Sequence, residues 1–160
     1  MTQRLAKNLA WVNSIMRNNS KKEIDILVRA IIQNKGKILV CQKVGKGYYF
    51  FPGGHLEFGE STKEALKREL REELGLSIKK CSFIGGSEHL FVEDDKKYHE
   101  INFAFEVLAN KINTKSKENH LQFFLIDKKQ LTKEKVLPTS LTKAVLKWLK
   151  DEKPFWVSEI

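Results

Sequence analysis

Two periodicities organise the apolar positions of this 160-residue chain. Ile24, Ile26, Val28, Ala30 and Ile32 alternate with other residues, which predicts a strand over 23–32. Asn34-Lys35-Gly36 is a turn, and Lys37 to Lys43 reads as a second strand, so the two form a hairpin. Ile78 to Ile84 predicts a strand that Gly85-Gly86 breaks and Ser87 to Val92 resumes. Ile101, Phe103, Phe105 and Val107 alternate strictly, predicting a strand with one buried face. Leu121 to Ile126 is continuously apolar, as a central strand would be. The helical period appears at Leu66, Leu70 and Leu74, and again at Leu141, Ala144, Val145, Trp148 and Leu149. The second of these helices starts after Pro138, with Thr139 or Ser140 as its cap. Asp127 to Leu131 is a short helix candidate, and the apolar tail Pro154-Phe155-Trp156 is set to dock on the domain or on a partner. Leu5, Leu9, Val12 and Met16 mark an amphipathic helix within 1–20, ahead of a single domain over 21–160. Strands interrupted by one central helix and closed by another predict an α+β fold: an α/β/α sandwich around a mixed, mostly antiparallel sheet.

The richest stretch is GGHLEFGESTKEALKRELREELGL, from Gly53 to Leu76. Ser61 and Glu64 fit a capping box. Gly75 stands where a helix stops in a left-handed turn. Over a helix from 62 to 74, Glu69, Glu72 and Glu73 fall within an arc of about 100°. The Leu66, Leu70 and Leu74 stripe lies about a quarter turn away, free to face a core. Carboxylates crowded on one face repel each other, and a hard divalent cation that binds carboxylate oxygens is the natural compensation. Arg68 and Glu60 are candidates for a pair that fixes the preceding loop onto the helix. A Glu- and Arg-rich surface helix is the plain alternative. It leaves the linked glycine turn, capping box and terminal glycine unaccounted for.

Gly54, Glu60, Arg68-Glu69, Glu72-Glu73 and Gly75 fill every fixed position of the signature of the Nudix hydrolases, which this segment resembles. A weaker likeness of the flanking strands extends over roughly 23–130. The resemblance implies the Nudix fold and hydrolysis of nucleoside diphosphates linked to another group, with Mg2+ or Mn2+. It implies Glu69, Glu72 and Glu73 as catalytic metal ligands, joined by the backbone carbonyl of Gly53. Arg68 would orient a carboxylate, and Glu60 would hold the loop by pairing with Arg68. Some family members add an acid from a loop that precedes a later strand. Glu118 occupies such a place and is the only acid between Val107 and Ile126, so it is the candidate second-side ligand or base. The plain alternative is a solvated Glu balanced by Lys115 and Lys117.

Arg29, Lys43 and Phe51 are the candidate substrate contacts. In the family an Arg near position 29 often meets substrate; otherwise it lies on the solvent face of the sheet. The aromatics Tyr48 to Phe51 either stack on a base or belong to the core. His55 reads as a loop residue, and His89, His99 and His120 have no visible partner. The family's substrate markers do not help. Where ADP-ribose members often carry Pro this chain has Val92, and where dinucleoside polyphosphate members often carry Tyr it has Asp94.

Charge and cysteines change the picture modestly. The net charge of +9 favours an anionic ligand without choosing one, a nucleotide or an RNA 5′ end. Cys41 and Cys81 form no metal or redox motif and fit buried thiols in a reducing cytoplasm. No apolar run is long enough for a membrane span. A homodimer through the N-terminal helix is a further expectation. A sensor that binds nucleotides without cleaving them is the competing class, and it would be expected to carry a degenerate acid motif.

Overall fold

The computed structural model describes residues 24–93 and 95–160, so the N-terminal helix expected within 1–20 lies outside the described residues. The elements, in order, are β1 (Ile24–Asn34), β2 (Lys37–Lys43), β3 (Tyr49–Phe50), α1 (Thr62–Leu74), β4 (Ile78–Glu93) and β5 (Lys96–Ala109). They continue with β6 (Leu121–Asp127), α2 (Lys128–Lys133), β7 (Val136–Leu137), α3 (Thr139–Asp151) and β8 (Phe155–Glu159).

The strands form one mixed sheet in the order β7-β3-β2-β1-β5-β4-β8, with β6 paired to β2. β1 is the axis. Its middle alternates between two cores, as a strand buried on both faces must. Val28, Ala30 and Ile32 pack with Leu66, Leu70 and Leu74 of α1. Ile31 packs on the other side with Leu141, Val145 and Trp148 of α3. This is the expected α/β/α sandwich, with one helix stripe closing each face of the sheet.

Several local expectations change. β1 and β2 meet as a hairpin only at its base, through Gln33↔Ile38 and Asn34↔Lys37. Beyond that β1 runs parallel to β5 from Ile24↔His99 to Ile32↔Val107, while β2 takes β6 as its antiparallel partner. β6 is therefore not central; it pairs only with β2, and its apolar run is explained by burial of Leu121, Phe123 and Ile126. β5 buries both faces, not one: Asn102 and Ala104 are as enclosed as Phe105 and Val107. α3 begins at Thr139, but neither Thr139 nor Ser140 caps it. Pro138 is the N-cap, without a side-chain bond, and its carbonyl accepts from the Thr142 amide at 3.0 Å.

Gly85-Gly86 does not break the strand. β4 continues through both, with a register shift between Phe83 and Gly85. The reason for glycine here is the docked tail. Phe155-Trp156 forms the start of β8, which runs parallel to β4 through Gly85↔Phe155 and Gly86↔Trp156. A Cβ on Gly85 would lie 2.3 Å from the Phe155 carbonyl oxygen, and the residue sits at φ +151°. Among the described residues no helix is long and apolar enough to cross a membrane.

Gly85→Ala is expected to destabilise the fold by about 2 kcal/mol or more, since both the backbone conformation and the β8 contact are compromised. Urea unfolding checks this. A variant as stable as the parent shows that β8 is not held through this close approach.

Candidate active site

Helix α1 is built as its local sequence dictates. The Ser61 hydroxyl accepts from the Glu64 amide at 3.3 Å, and the Glu64 carboxylate accepts from the Ser61 amide at 2.9 Å. At the other end Gly75 adopts φ 65°, and its amide reaches back to the Arg71 carbonyl. With both ends fixed, the leucine stripe turns to the core and the acids turn to the Pro52-Gly53-Gly54 turn.

That turn is clamped to β1. The Val28 amide donates to Gly54 at 2.9 Å and the Ala30 amide to Pro52 at 2.8 Å. Gly53 lies between them at φ +131°, where a Cβ would fall 2.0 Å from the Val28 carbonyl oxygen. At Gly54 a Cβ would fall 2.4 Å from the Glu69 carboxylate carbon. Glycine at both positions is thus the condition for bringing β1, the turn and the acids together.

Arg68 collects the loop and the acids. It donates to both carboxylate oxygens of Glu60, at 2.9 and 3.0 Å, in a two-pronged contact. It also donates to Glu69 at 2.8 Å, to Glu72 at 3.4 Å and to the His55 carbonyl at 2.9 Å. These carboxylates hold the guanidinium pKa above its ordinary value, the Glu60 hydrogen bonds foremost. The Glu60 carboxyl is correspondingly lowered by Arg68.

Glu73 is the buried member, with 4% of its surface exposed. One of its oxygens accepts from the Gly53 amide at 3.4 Å. Burial, followed by the charge of Glu69, pushes its pKa up to about 8, and Glu118 adds to the rise. The Gly53 hydrogen bond and Arg29 pull the other way without compensating.

Glu118 comes from the loop between β5 and β6, which docks on the end of α1. The Lys117 amide donates to the Glu73 carbonyl at 2.8 Å and Asn113 to the Leu74 carbonyl at 3.5 Å, satisfying acceptors that a helix end leaves open. Lys117 lies over Gly75, where a Cβ would fall 2.7 Å from its Cε. Glu118 is therefore held on the helix side, close enough for its charge to act on Glu73, and it pairs with His120 at 3.2 Å.

The three candidate substrate contacts separate. Arg29 is not on a solvent face; it is buried at 8% exposure. Its Nε donates to Asn102 at 3.0 Å and its Nη1 to the Phe51 carbonyl at 3.3 Å, and its guanidinium lies over the Phe50 ring. Phe51 is fully buried in the core beneath α3, so its ring is unavailable for stacking on a base; periodicity over four successive aromatics could not tell core from site. Lys43 is exposed at the end of β2, paired with Leu121. Three histidines do have acid partners, His55 among them, with Asp25 at 3.6 Å. His89 sits across the strands from Glu100 at 3.5 Å, and His120 is on Glu118. His55 is a mostly exposed loop residue, as expected.

Glu69, Glu72, Glu73, Glu118 and the Gly53 carbonyl, the ligands the resemblance implies, would offer oxygen donors of the kind a hard divalent cation takes. Glu73 is the acid that Arg68 leaves uncompensated: burial first, and then the charge of Glu69, raise it. Among the described residues no three His, Cys, Asp or Glu side chains already converge as a finished metal cage. Glu69 and Glu72 are instead turned to Arg68. The donors fit the ion, and closing on it requires those side chains to swing from the guanidinium.

The chain thus combines a glycine turn bound to the central strand with a capped helix that carries an acid face. A NUDIX domain model matches residues 22–149, and the chain belongs to that family. The family generally uses a divalent metal such as Mg2+ or Mn2+. Among its relatives is an 8-oxo-dGTP diphosphatase of Proteus vulgaris, 33% identical over 44% of this chain and 67% of that protein. An ADP-ribose pyrophosphatase of Methanocaldococcus jannaschii is 31% identical over 62% of this chain and 60% of the relative. A CTP pyrophosphohydrolase of Escherichia coli is 48% identical over 31% and 40%. The chain thus spans less than two thirds of the latter two. A MutT protein crystal structure from Bacillus halodurans shares the fold, with a TM-score of 0.66 at 21% identity over 82% of this chain and 86% of that one.

Two measurements check this geometry. Neutralising Arg68 or Glu60 should each weaken the site, and the double change should cost less than the sum, because each single change already breaks the pair. Strict additivity in a double-mutant cycle would show that the contact is idle. Glu73 titrates near 8 when folded, against an ordinary 4.5. Folding therefore binds a proton in that window. In metal-free buffer stability should be fullest below pH 4.5 as far as this group is concerned, fall as pH rises to about 8, then level off. The fall should reach a few kcal/mol at most, at ~1.4 kcal/mol per pH unit, and Glu73→Gln should flatten it. Equal slopes in the two proteins would place the proton elsewhere.

Proposed function

We propose that this chain is a metal-dependent pyrophosphohydrolase that cuts the diphosphate linkage of a nucleotide or nucleotide derivative. The observation that carries the reading is the intact acid face of α1, with Glu73 buried against the Gly53 turn and Glu118 brought to it from a second side. The relatives named for 8-oxo-dGTP, ADP-ribose and CTP act on different nucleotides, and what those substrates share is a phosphoric anhydride.

In this reading Glu69, Glu72, Glu73, Glu118 and the Gly53 carbonyl hold Mg2+ or Mn2+. When bound, such ions shield the charge of the diphosphate and acidify a water for attack at phosphorus. Arg68 keeps Glu69 and Glu72 at the site and ties the Glu57–Glu60 loop to the helix. Glu118, outside the helix, is the second-side ligand or the base that takes the proton from water. The Gly53 turn brings backbone close to the reacting group with no side chain in the way. The intact acids disfavour the sensor reading. An RNA 5′ end is the second reading, favoured by the net charge of +9.

A screen of nucleoside triphosphates, nucleotide sugars, dinucleotides and 5′-triphosphate RNA with Mg2+, followed by release of phosphate or pyrophosphate, tests the proposal. We expect metal-dependent turnover abolished by EDTA. Glu69→Gln and Glu73→Gln should each lower it by roughly 100-fold, and Glu118→Gln by 10- to 100-fold, with folding retained. Turnover that survives chelation, or is unchanged in all three variants, refutes it. RNA binding that weakens steeply with salt would favour the RNA substrate.

A further inference from the structure

Helix α3 and strand β8 enclose a groove of about 780 Å³ on the face of the sheet opposite α1. β8 lies beyond residue 149, where the match to the family ends. Its place against β4 rests on Gly85 and Gly86, which are registered with Phe155 and Trp156. The floor of the groove is apolar, formed by Ala144, Trp148 and Phe155. The rim is basic. Lys143 and Lys147 stand about one turn apart on α3, and Lys153 follows the helix. Against these lysines the lining sets one carboxylate, Glu159.

All three lysines are exposed, and among the described residues their ammonium groups form no ion pair. Like charges at i and i+4 of a helix repel each other. The first turn of α3 adds partial positive charge of its own. Its N-cap, Pro138, offers no side-chain bond, so the opening amides lack that acceptor. Ser140 stands in this turn and lines the groove. It is 7% exposed, and its Oγ has no partner among the described residues. A buried hydroxyl left unpaired is costly, and rotation about one bond turns it toward a ligand. An anionic oxygen at this end of the groove would meet a hydroxyl, a helix start and Lys143 together.

We propose that the α3–β8 groove binds single-stranded RNA, with the phosphates along Lys143, Lys147 and Lys153. Residues four apart on a helix are about 6 Å apart along its axis, a step that the phosphates of an extended strand can follow. A basic groove that tracks the backbone, with aromatic side chains for the bases, holds single strands without reading their sequence. Trp148 and Phe155 supply the aromatic floor here. Glu159 repels a phosphate, but it accepts from a ribose 2′-hydroxyl, as Ser158 beside it can, and DNA has no such group. The inference does not rest on the hydrolytic reading: none of Glu69, Glu72, Glu73 and Glu118 lines this groove.

The test titrates the whole chain into a fluorescent 5′-hydroxyl oligouridine of roughly 12 nucleotides, in EDTA, and follows anisotropy. This RNA carries no phosphoric anhydride and the buffer no metal, so failure of the hydrolysis screen leaves the result untouched. Between about 50 and 200 mM salt, log K should fall linearly with log salt, with a slope of about −2 for three lysines at about 0.7 each. Lys143→Gln with Lys147→Gln should flatten the slope by about 1.4 and weaken binding roughly 10-fold at the low-salt end. Lys79→Gln with Lys80→Gln removes the same charge from exposed positions on β4 outside the groove, and should leave slope and affinity near those of the parent. The DNA strand of the same sequence should bind at least about threefold more weakly. No binding by the parent, equal losses in the two double variants, or equal affinity for RNA and DNA overturns the inference.

Discussion

Arg68 is the interaction on which the acid site depends. The carboxylates of Glu60, Glu69 and Glu72 cannot share one neighbourhood unless a positive charge sits among them. The guanidinium supplies that charge with a directional fork, so it sets positions as well as balancing charge. Two of its prongs go to Glu60, outside the helix, and another to the His55 carbonyl. The loop from the glycine turn to the helix start is thereby tied down at both ends. A lysine would neutralise the acids but lacks the fork to hold Glu60 by both oxygens.

Glu73 is treated differently, and the difference is informative. It does not bond to Arg68 in this arrangement; it is buried beside Gly53 with a single long backbone hydrogen bond. Burial without full compensation holds its proton on to about pH 8. A structural acid would be expected to find a stronger partner. An acid waiting for a cation has reason not to. The same logic explains Glu118, whose charge is brought toward Glu73 although that raises the electrostatic cost of the folded state. The expense is local, and under the proposed metal-dependent reaction it is offset when a divalent ion enters.

Helix α1 was fully legible because every signal that makes it is local. The Ser61–Glu64 box, the Gly75 stop and the acid arc all lie within a few residues of one another. The Arg68–Glu60 pair was legible for the same reason. What failed was long-range. Nothing around Gly85 announces that β8 will approach it, so a close-packed glycine looked like a strand break. Nothing near Ile24 announces a parallel partner in β5, so the strand seemed to belong wholly to a hairpin. Phe51 failed because four aromatics in a row carry no phase; its neighbour Phe50 lies under Arg29 while Phe51 enters the core beneath α3. Glu118 is singled out by the resemblance and by its solitude in a basic loop, but what holds that loop, the docking of Lys117 and Asn113 on the helix end, is invisible without the fold.

The deepest omission concerns β1. Alternation in a strand is easily read as inside and outside, and Arg29 then looks like an outward residue. A sandwich has no outside along its central strands. Both phases of β1 are inside, one facing α1 and the other α3, so a charged residue in the second phase must be paired within the protein. Arg29 meets that demand through Asn102 and the Phe51 carbonyl. Those two bonds span from Asn102 on β5 to Phe51, just ahead of the Pro52-Gly53-Gly54 turn. The central strand thus does more than separate two cores: a single buried guanidinium on it couples the orientation of one face to the electrostatics of the other.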